Sequence, residues 1–316
     1  MPNRNRERRG APGSPPLSPV PARRLPPLRT VGEWRRAAAA RLREADIASP
    51  AREADWIASH VLGIPPGELV LSRDRPLAPG EKRRLSRFLH KRIRRFPLQY
   101  LLGDVDFFGL SLRVKPAVLI PRPETEGLVE HVLRFLDERE PATVLDVGTG
   151  SGAIALALAA QRPRLRVWAT DSSEAALRVA RANAKRLGLG DRVVFRAGDL
   201  TEPFAGEEPP HPLRVVVSNP PYVAVEDRDR LATEIVEHEP HGALFAGETG
   251  LSVIERLVPR AARLLPAGGL LALEIGETQG AAVTALCDED AGTWRPVRIE
   301  RDLAGKNRYA LVLRDG

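Results

Sequence analysis

Apolar and polar positions divide the chain into three regimes. From Val31 to Pro97 hydrophobic residues recur at helical spacing in "VGEWRRAAAARLREADI", "SPAREADWIASHVLGI" and "APGEKRRLSRFLHKRIRRFP", because a helix brings positions three and four apart onto one face. Trp56, Ile57, Val61 and Leu62 mark one stripe, with Ser49 as the expected N-cap and Pro50 just inside it. In the third segment Leu85, Phe88, Leu89, Ile93 and Phe96 form the stripe while eight Lys and Arg fill the other face, which makes a basic amphipathic helix. A small helical bundle over 31–97 is expected. Between Gln99 and Pro121 the period changes to alternation in "VDFFGLSLRVKPAVLIP", predicting a hairpin linker over 98–122.

From Pro123 to the end, strand-like and helical stretches alternate. "PETEGLVEHVLRFLDER" predicts a helix, and strands are expected at Thr143 to Val147, Arg166 to Thr170, Arg192 to Arg196, Leu213 to Ser218 and Leu270 to Ile275. Helices fall between them in "GAIALALAAQ", "SEAALRVARANAKRLG" and "GLSVIERLVPRAARLL". Such alternation means an α/β chain with a doubly wound parallel sheet over 123–316. The closing "WRPVRIERDLAGKNRYALVLRDG" offers two strands around a glycine-containing loop, hence an antiparallel C-terminal edge.

Composition adds three limits. Residues 1–30 hold eight prolines and seven arginines without apolar periodicity, so they are expected to be a disordered tail; the arginines would suit a transit peptide, but the prolines oppose the amphipathic helix it needs. No apolar run reaches the roughly 18 to 20 residues that span a bilayer, and no secretion signal opens the chain, so a cytoplasmic protein is expected. Cys287 is the single cysteine, which excludes an internal disulfide and a cysteine-rich metal site. Charge is uneven: residues 1–100 carry 22 Lys and Arg against 9 Asp and Glu, and the remainder is net acidic. The front therefore suits an anionic partner, RNA or an acidic protein surface, although a solvated arginine-rich face explains it equally well.

Two stretches carry chemistry. In "TVLDVGTGSGAIALALA" a strand runs into a glycine-rich turn and a helix. Gly148, Gly150 and Gly152, with Thr149 and Ser151 between them, let the backbone turn tightly and approach a ligand at a helix N-terminus. Alone this does not separate NAD from S-adenosylmethionine. Asp146 before the first glycine favours the second, since a carboxylate suits a cationic amino-acid ligand and repels a pyrophosphate. Asp171 ends the next strand, where it can accept from ribose hydroxyls or cap the following helix. Asp199 and Leu200 in "RAGDL" suit an adenine amino group and ring face, with a plain surface turn as the alternative.

The second stretch is "VVVSNPPYVA". A β-branched strand stops on Asn219, Pro220, Pro221 and Tyr222, because two prolines without N–H groups end any ladder. At the carboxyl end of a central strand this corner reads as a catalytic site. An amide nitrogen is a poor nucleophile, since its lone pair is delocalised. If the Asn219 side-chain oxygen and the Pro220 carbonyl each accept one of its N–H groups, the nitrogen is held for in-line attack on a sulfonium methyl, with the Tyr222 ring as a cover. A strand-ending turn is the bland alternative. Four features weigh less: His238 and His241 are spaced for a metal but lack a third ligand, so no metal is expected; Glu274 ends a strand, where a structural role suffices; Arg122 and Glu124 precede a helix they could cap, or could close over the methionine part of the cofactor; and Cys287 suits a small core position.

With these residues in view the sequence resembles the release factor glutamine methyltransferases, through "PLQYLLGDVDFFGL", "LIPRPETE", "LDVGTGSGAIALALA", "VSNPPY", "HEPHGALFAGETGL" and "RDLAGKNRYALV". The resemblance covers nearly everything after residue 30. It implies an N-terminal helical bundle, a hairpin and a class I methyltransferase domain of Rossmann-like fold, which methylates the glutamine amide of the Gly-Gly-Gln motif in peptide chain release factors. It also implies S-adenosylmethionine on Gly148 to Gly152 and Asp171, Leu200 beside the adenine where some members carry an aromatic residue, and the substrate glutamine on Asn219 to Tyr222. The expected function is N5-methylation of that glutamine, with the basic bundle helping to dock the release factor. Direct nucleic-acid binding stays open but is not required. Amino methylation of a nucleobase in RNA or DNA is the alternative enzyme, and a cofactor-binding adaptor without turnover the alternative class.

Overall fold

A computed structural model describes residues 28–289 and 292–316. The chain divides into two compact units, residues 1–94 and 95–316. The expected tail lies outside the described residues except for its last three, of which Thr30 already serves the fold. Thr30 caps helix α1 (Val31–Glu44) in a reciprocal capping box: its hydroxyl accepts from Glu33 N at 3.3 Å and the Glu33 carboxylate accepts from Thr30 N at 3.2 Å.

Helices α2 (Pro50–Leu62) and α3 (Pro79–Ile93) complete the first unit. Ser49 stands at the N-cap of α2 with Pro50 following, but its hydroxyl makes no capping bond; the helix ends on Gly63 at φ 67°. Trp34, Leu42, Ile57 and Leu85 are buried between the helices. The basic face of α3 is smaller than its sequence suggests. Arg92 is buried and paired with Glu53 of α2 at 2.6 Å, because a guanidinium leaves water only when its charge and donors are matched. Phe96 does not belong to α3 either; it lies in the second unit, its ring centroid 6.1 Å from Tyr100 and 5.0 Å from His238.

The second unit opens with a short helix α4 (Leu98–Leu102) and the expected hairpin, β1 (Asp104–Phe107) with β2 (Leu110–Arg113). The hairpin places Phe107 and Leu112 in the main core. There follow α5 (Pro123–Phe135), β3 (Ala142–Val147), α6 (Ala153–Gln161), β4 (Leu165–Asp171), α7 (Glu174–Arg186), β5 (Val193–Ala197), β6 (Leu213–Ser218), α8 (Thr233–His238), α9 (Ser252–Leu264), β7 (Leu270–Glu274), α10 (Gly280–Asp288), β8 (Arg298–Arg301) and β9 (Asn307–Leu313). The seven-stranded sheet has the order β5-β4-β3-β6-β7-β9-β8. β3 to β7 run parallel, and β9 and β8 add the antiparallel edge.

Alternating side chains feed two cores. Val144 with α5 and α6 fills one face, and Leu145 and Val147 with Ile254, Leu257 and Val258 of α9 fill the other. Each fully buried Val or Leu is worth about 1.5–3 kcal/mol, which offsets the cost of fixing a central strand such as β3, all six of whose residues are buried. The strand order reverses between β3 and β6. In folds of this kind ligands bind beyond the carboxyl edge of the sheet at such a switch point. Among the described residues no helix is long and apolar enough to cross a membrane.

Candidate active site

Two loops leave adjacent strands at this edge. Val147 of β3 pairs with Ser218 of β6, and the Ser218 hydroxyl donates to the Val147 carbonyl at 2.7 Å. The glycine loop and the Asn219 corner therefore start side by side.

Gly148, Gly150 and Gly152 have φ of 73°, 55° and 84°, a region that other residues enter only at a cost. An added Cβ on Gly148 or Gly150 would meet nothing within 4 Å, so open space lies over the loop; on Gly152 it would press on Leu156 at 3.0 Å, so this glycine serves helix packing. The N–H groups of Gly148 and Thr149 donate to the Thr170 carbonyl, both at 2.9 Å. Thr149 donates its hydroxyl to Asp146 Oδ2 at 2.6 Å, and Asn183 of α7 holds the Ser151 carbonyl at 2.9 Å.

Asp146 is fully buried beneath this loop. Oδ2 also accepts from Ala155 N at 3.1 Å, while Oδ1 has no partner. Burial pushes its pKa up to about 7, against the two hydrogen bonds that favour the charge. Asp171 ends β4 and takes N–H groups from Gly150 at 2.8 Å and Ser173 at 2.8 Å. Burial raises its pKa too, with those same bonds opposing. The helix cap is Ser173, whose hydroxyl accepts from Ala176 N, so Asp171 does not cap α7 and braces the glycine loop instead. Asp199 follows β5 and is engaged by Arg260 at 2.9 Å and by Arg256, both on α9. Leu200 next to it holds φ 50°. A leucine stays in this conformation, at a cost on the order of 1–3 kcal/mol, only where its surroundings enforce it, and such strain collects at ligand sites. A carboxylate lacking a counter-charge, a second with spare lone pairs at a strand end and an uncovered glycine turn fit a ligand carrying an amine and a ribose.

The corner beyond β6 is built more tightly than two prolines require. Asn219 donates from Nδ2 to the Thr125 hydroxyl at 3.0 Å, and Thr125 donates to Glu274 Oε2 at 2.7 Å. The Tyr222 hydroxyl donates to Glu274 Oε1 at 3.3 Å. Glu274, at the end of β7, is buried; burial pushes its pKa up to about 7, against the Thr125 and Tyr222 hydroxyls and the Arg308 charge. Burial also pushes the Tyr222 phenol above its usual range, and the Glu274 charge adds to the shift. Gln279 donates to the Tyr222 carbonyl at 3.0 Å and to that of Gly250 at 3.2 Å. A Cβ on Gly250 would lie 2.4 Å from the Tyr222 carbonyl oxygen.

The sequence does not single out Thr125, Gln279 or Gly250 as site residues, and for Glu274 it offers no more than a strand end where a structural role suffices. Thr125 lies inside "IPRPETE" and Gly250 inside the "GETG" stretch, so the motifs flagged the segments but not the atoms. Arg122 is the N-cap residue of α5 but makes no side-chain capping bond; it pairs with buried Glu239 at 2.5 Å. His241 bonds the Val236 carbonyl at 2.8 Å. Among the described residues no group of three side chains could hold a metal. A cavity of about 590 Å³ at the β8–β9 edge, lined by His131, Phe135, Arg298 and Leu311 among others, includes none of these site residues.

Known proteins match both units. Residues 33–103 match the PrmC N-terminal domain model, and residues 127–247 the methyltransferase small domain model. The chain is 42% identical to the release factor glutamine methyltransferase of Moorella thermoacetica over 274 residues, 87% of this chain and 95% of that protein. It is 37% identical to the MTRF1L release factor glutamine methyltransferase of Homo sapiens, over 84% of this chain and 82% of that one. The hMettl16 catalytic domain, solved in complex with MAT2A 3'UTR hairpin 6, shares the fold at a TM-score of 0.53 and 17% identity, covering 66% of this chain and 76% of that one. At such identity over most of both sequences, the chain belongs to the release factor glutamine methyltransferase family.

Proposed function

We propose that the enzyme transfers the methyl group of S-adenosylmethionine to the side-chain amide nitrogen of the glutamine in the Gly-Gly-Gln motif of peptide chain release factors. One observation carries this reading: the Asn219 corner and the glycine loop leave neighbouring strands, and the Asn219 amide is tied through its nitrogen. Its oxygen is thereby left to accept.

When bound, S-adenosylmethionine supplies an electrophilic methyl group. Gly148, Thr149, Gly150, Ser151 and Gly152 would hold it, with Asp171 toward its ribose, Asp199 and Leu200 toward its adenine and Asn219 at the reacting end. The protein must then make a carboxamide nitrogen nucleophilic. Asn219 Oδ1 and the Pro220 carbonyl accept its two N–H groups and fix it in the plane that points the lone pair at the methyl carbon. The same two acceptors stabilise the positive charge that grows on nitrogen as the new C–N bond forms and the S–C bond breaks. One of the two amide protons is then lost to water. Pro220 is buried, and proline brings no N–H to compete for the acceptors. Tyr222, its phenol held by Glu274, presents a ring to cover the planar amide.

Incubation of a purified release factor with enzyme and S-adenosylmethionine should add the mass of one methylene to the Gly-Gly-Gln peptide. The Asn219→Ala enzyme should add none while binding the cofactor within about threefold of wild type. Methylation of RNA in place of the release factor in the same assay would instead establish the nucleobase activity.

A further inference from the structure

Resting on that reading of Asn219, we propose that Thr125 and Glu274 are positioning residues that fix which end of the Asn219 amide faces the substrate. An asparagine amide has a donor end and an acceptor end of nearly equal shape, and only the acceptor end serves this reaction. Nothing in the corner itself chooses between them, since Pro220 and Pro221 lack N–H groups.

The choice is made by the chain of hydrogen bonds behind it. An ionised carboxylate only accepts. Glu274 therefore forces both hydroxyls that touch it, Thr125 at 2.7 Å and Tyr222 at 3.3 Å, to spend their protons on it. The Thr125 oxygen then has only lone pairs to offer, so Asn219 meets it with Nδ2, at 3.0 Å. The negative charge of Glu274 is read out two groups away as an outward-facing carbonyl. Other charged or titratable groups face Glu274 as well: Glu124 from α5, and Arg308 and Tyr309 from β9. Arg308 is itself engaged by Asp302 at 3.2 Å. Protonating Glu274 gives it a donor that the Thr125 oxygen can accept; the Thr125 proton is then free to turn toward Asn219, and the amide orientation is no longer enforced. With its pKa near 7, turnover should fall as pH drops through that value.

The test compares Thr125→Val, Thr125→Ser and Glu274→Gln with wild type, using full-length release factor at saturating S-adenosylmethionine. Cofactor affinity is followed by calorimetry with S-adenosylhomocysteine. Thr125→Val keeps the shape but removes the relay, and should lower kcat about 10- to 100-fold with KM and cofactor Kd changed less than about threefold. Thr125→Ser restores the hydroxyl and should return kcat to within about threefold. Glu274→Gln cannot be deprotonated, so its kcat should lose the acid limb that wild type shows near pH 7. Wild-type kcat in Thr125→Val, equal loss in Thr125→Ser, loss of cofactor binding in Thr125→Val, or an unchanged acid limb in Glu274→Gln would each overturn the relay. Asn219→Ala separates the two levels: if it is inactive while Thr125→Val is normal, the relay alone is wrong, and if it is active, the reading of Asn219 has failed.

Discussion

Asp146 sits in a strand whose six positions are all buried, and one of its carboxylate oxygens has no partner. A carboxylate in such a place is costly unless a cation answers it. Without ligand its pKa of about 7 lies above the ordinary 3.8, so its contribution to stability is full below about pH 4 and is lost as pH rises through 7. Asp146→Asn removes that loss. The difference in melting temperature between Asp146→Asn and wild type should shift in favour of the variant between pH 5 and pH 8, which differential scanning fluorimetry would read. The ammonium group of the proposed cofactor would reverse the preference and draw the proton off. Cofactor affinity should therefore rise with pH up to about 7 and then level, with the dependence flattened in Asp146→Asn. At this scale the sequence was informative where one residue type has one use: three glycines, an acid before them, and an asparagine followed by two prolines. It was silent on Thr125 and Gln279, because a threonine or glutamine acquires a role only from partners about 100 and 60 positions away in the chain, and no local pattern records those.

Between elements, what matters is how closely backbones approach. Gly250 precedes α9 with φ 73°, and the space a side chain would need is occupied by the Tyr222 carbonyl. Gly250→Ala must shift the corner or strain the loop. It should cost about 1–3 kcal/mol in urea unfolding and, on the proposed roles, lower kcat more than it weakens cofactor binding, since the displaced segment carries Asn219 to Tyr222 and not the glycine loop. The regular elements were readable wherever burial dictates the pattern: β6 runs from Leu213 to Ser218 as its apolar run implies, and β3 and β4 extend theirs by one or two residues. The short helices α4 and α8, and α10 with its mixed sequence "GAAVTALCD", were not foreseen. They are set by what they pack against rather than by a stripe of their own. The basic face of α3 was overread for a related reason, because charge type alone does not tell a solvated arginine from one, like Arg92, committed to a buried acid.

Taken whole, the chain is electrically lopsided, with its excess of arginine and lysine in the first hundred residues and a net acidic remainder. Exposed charges act over about 10 Å at moderate salt and fade as salt rises. If the first unit helps to draw in a release factor, KM for that substrate should climb several-fold between roughly 50 and 200 mM NaCl, while kcat stays within about twofold. Steady-state kinetics at four salt concentrations would measure this, and a flat KM would remove the front's charge from substrate capture.

The pairing of Val147 with Ser218 has a mechanical corollary. The glycine loop and the Asn219 corner hang from neighbouring rungs of one hydrogen-bonded ladder, deep in the sheet and clamped from both faces by helices. Separating them means unzipping the middle of the domain, so their spacing is among the stiffest lengths in the molecule. Amide protons of these two strands should be among the last to exchange with deuterium, and loosening either strand should register as a wider spread in the distance between the two loops.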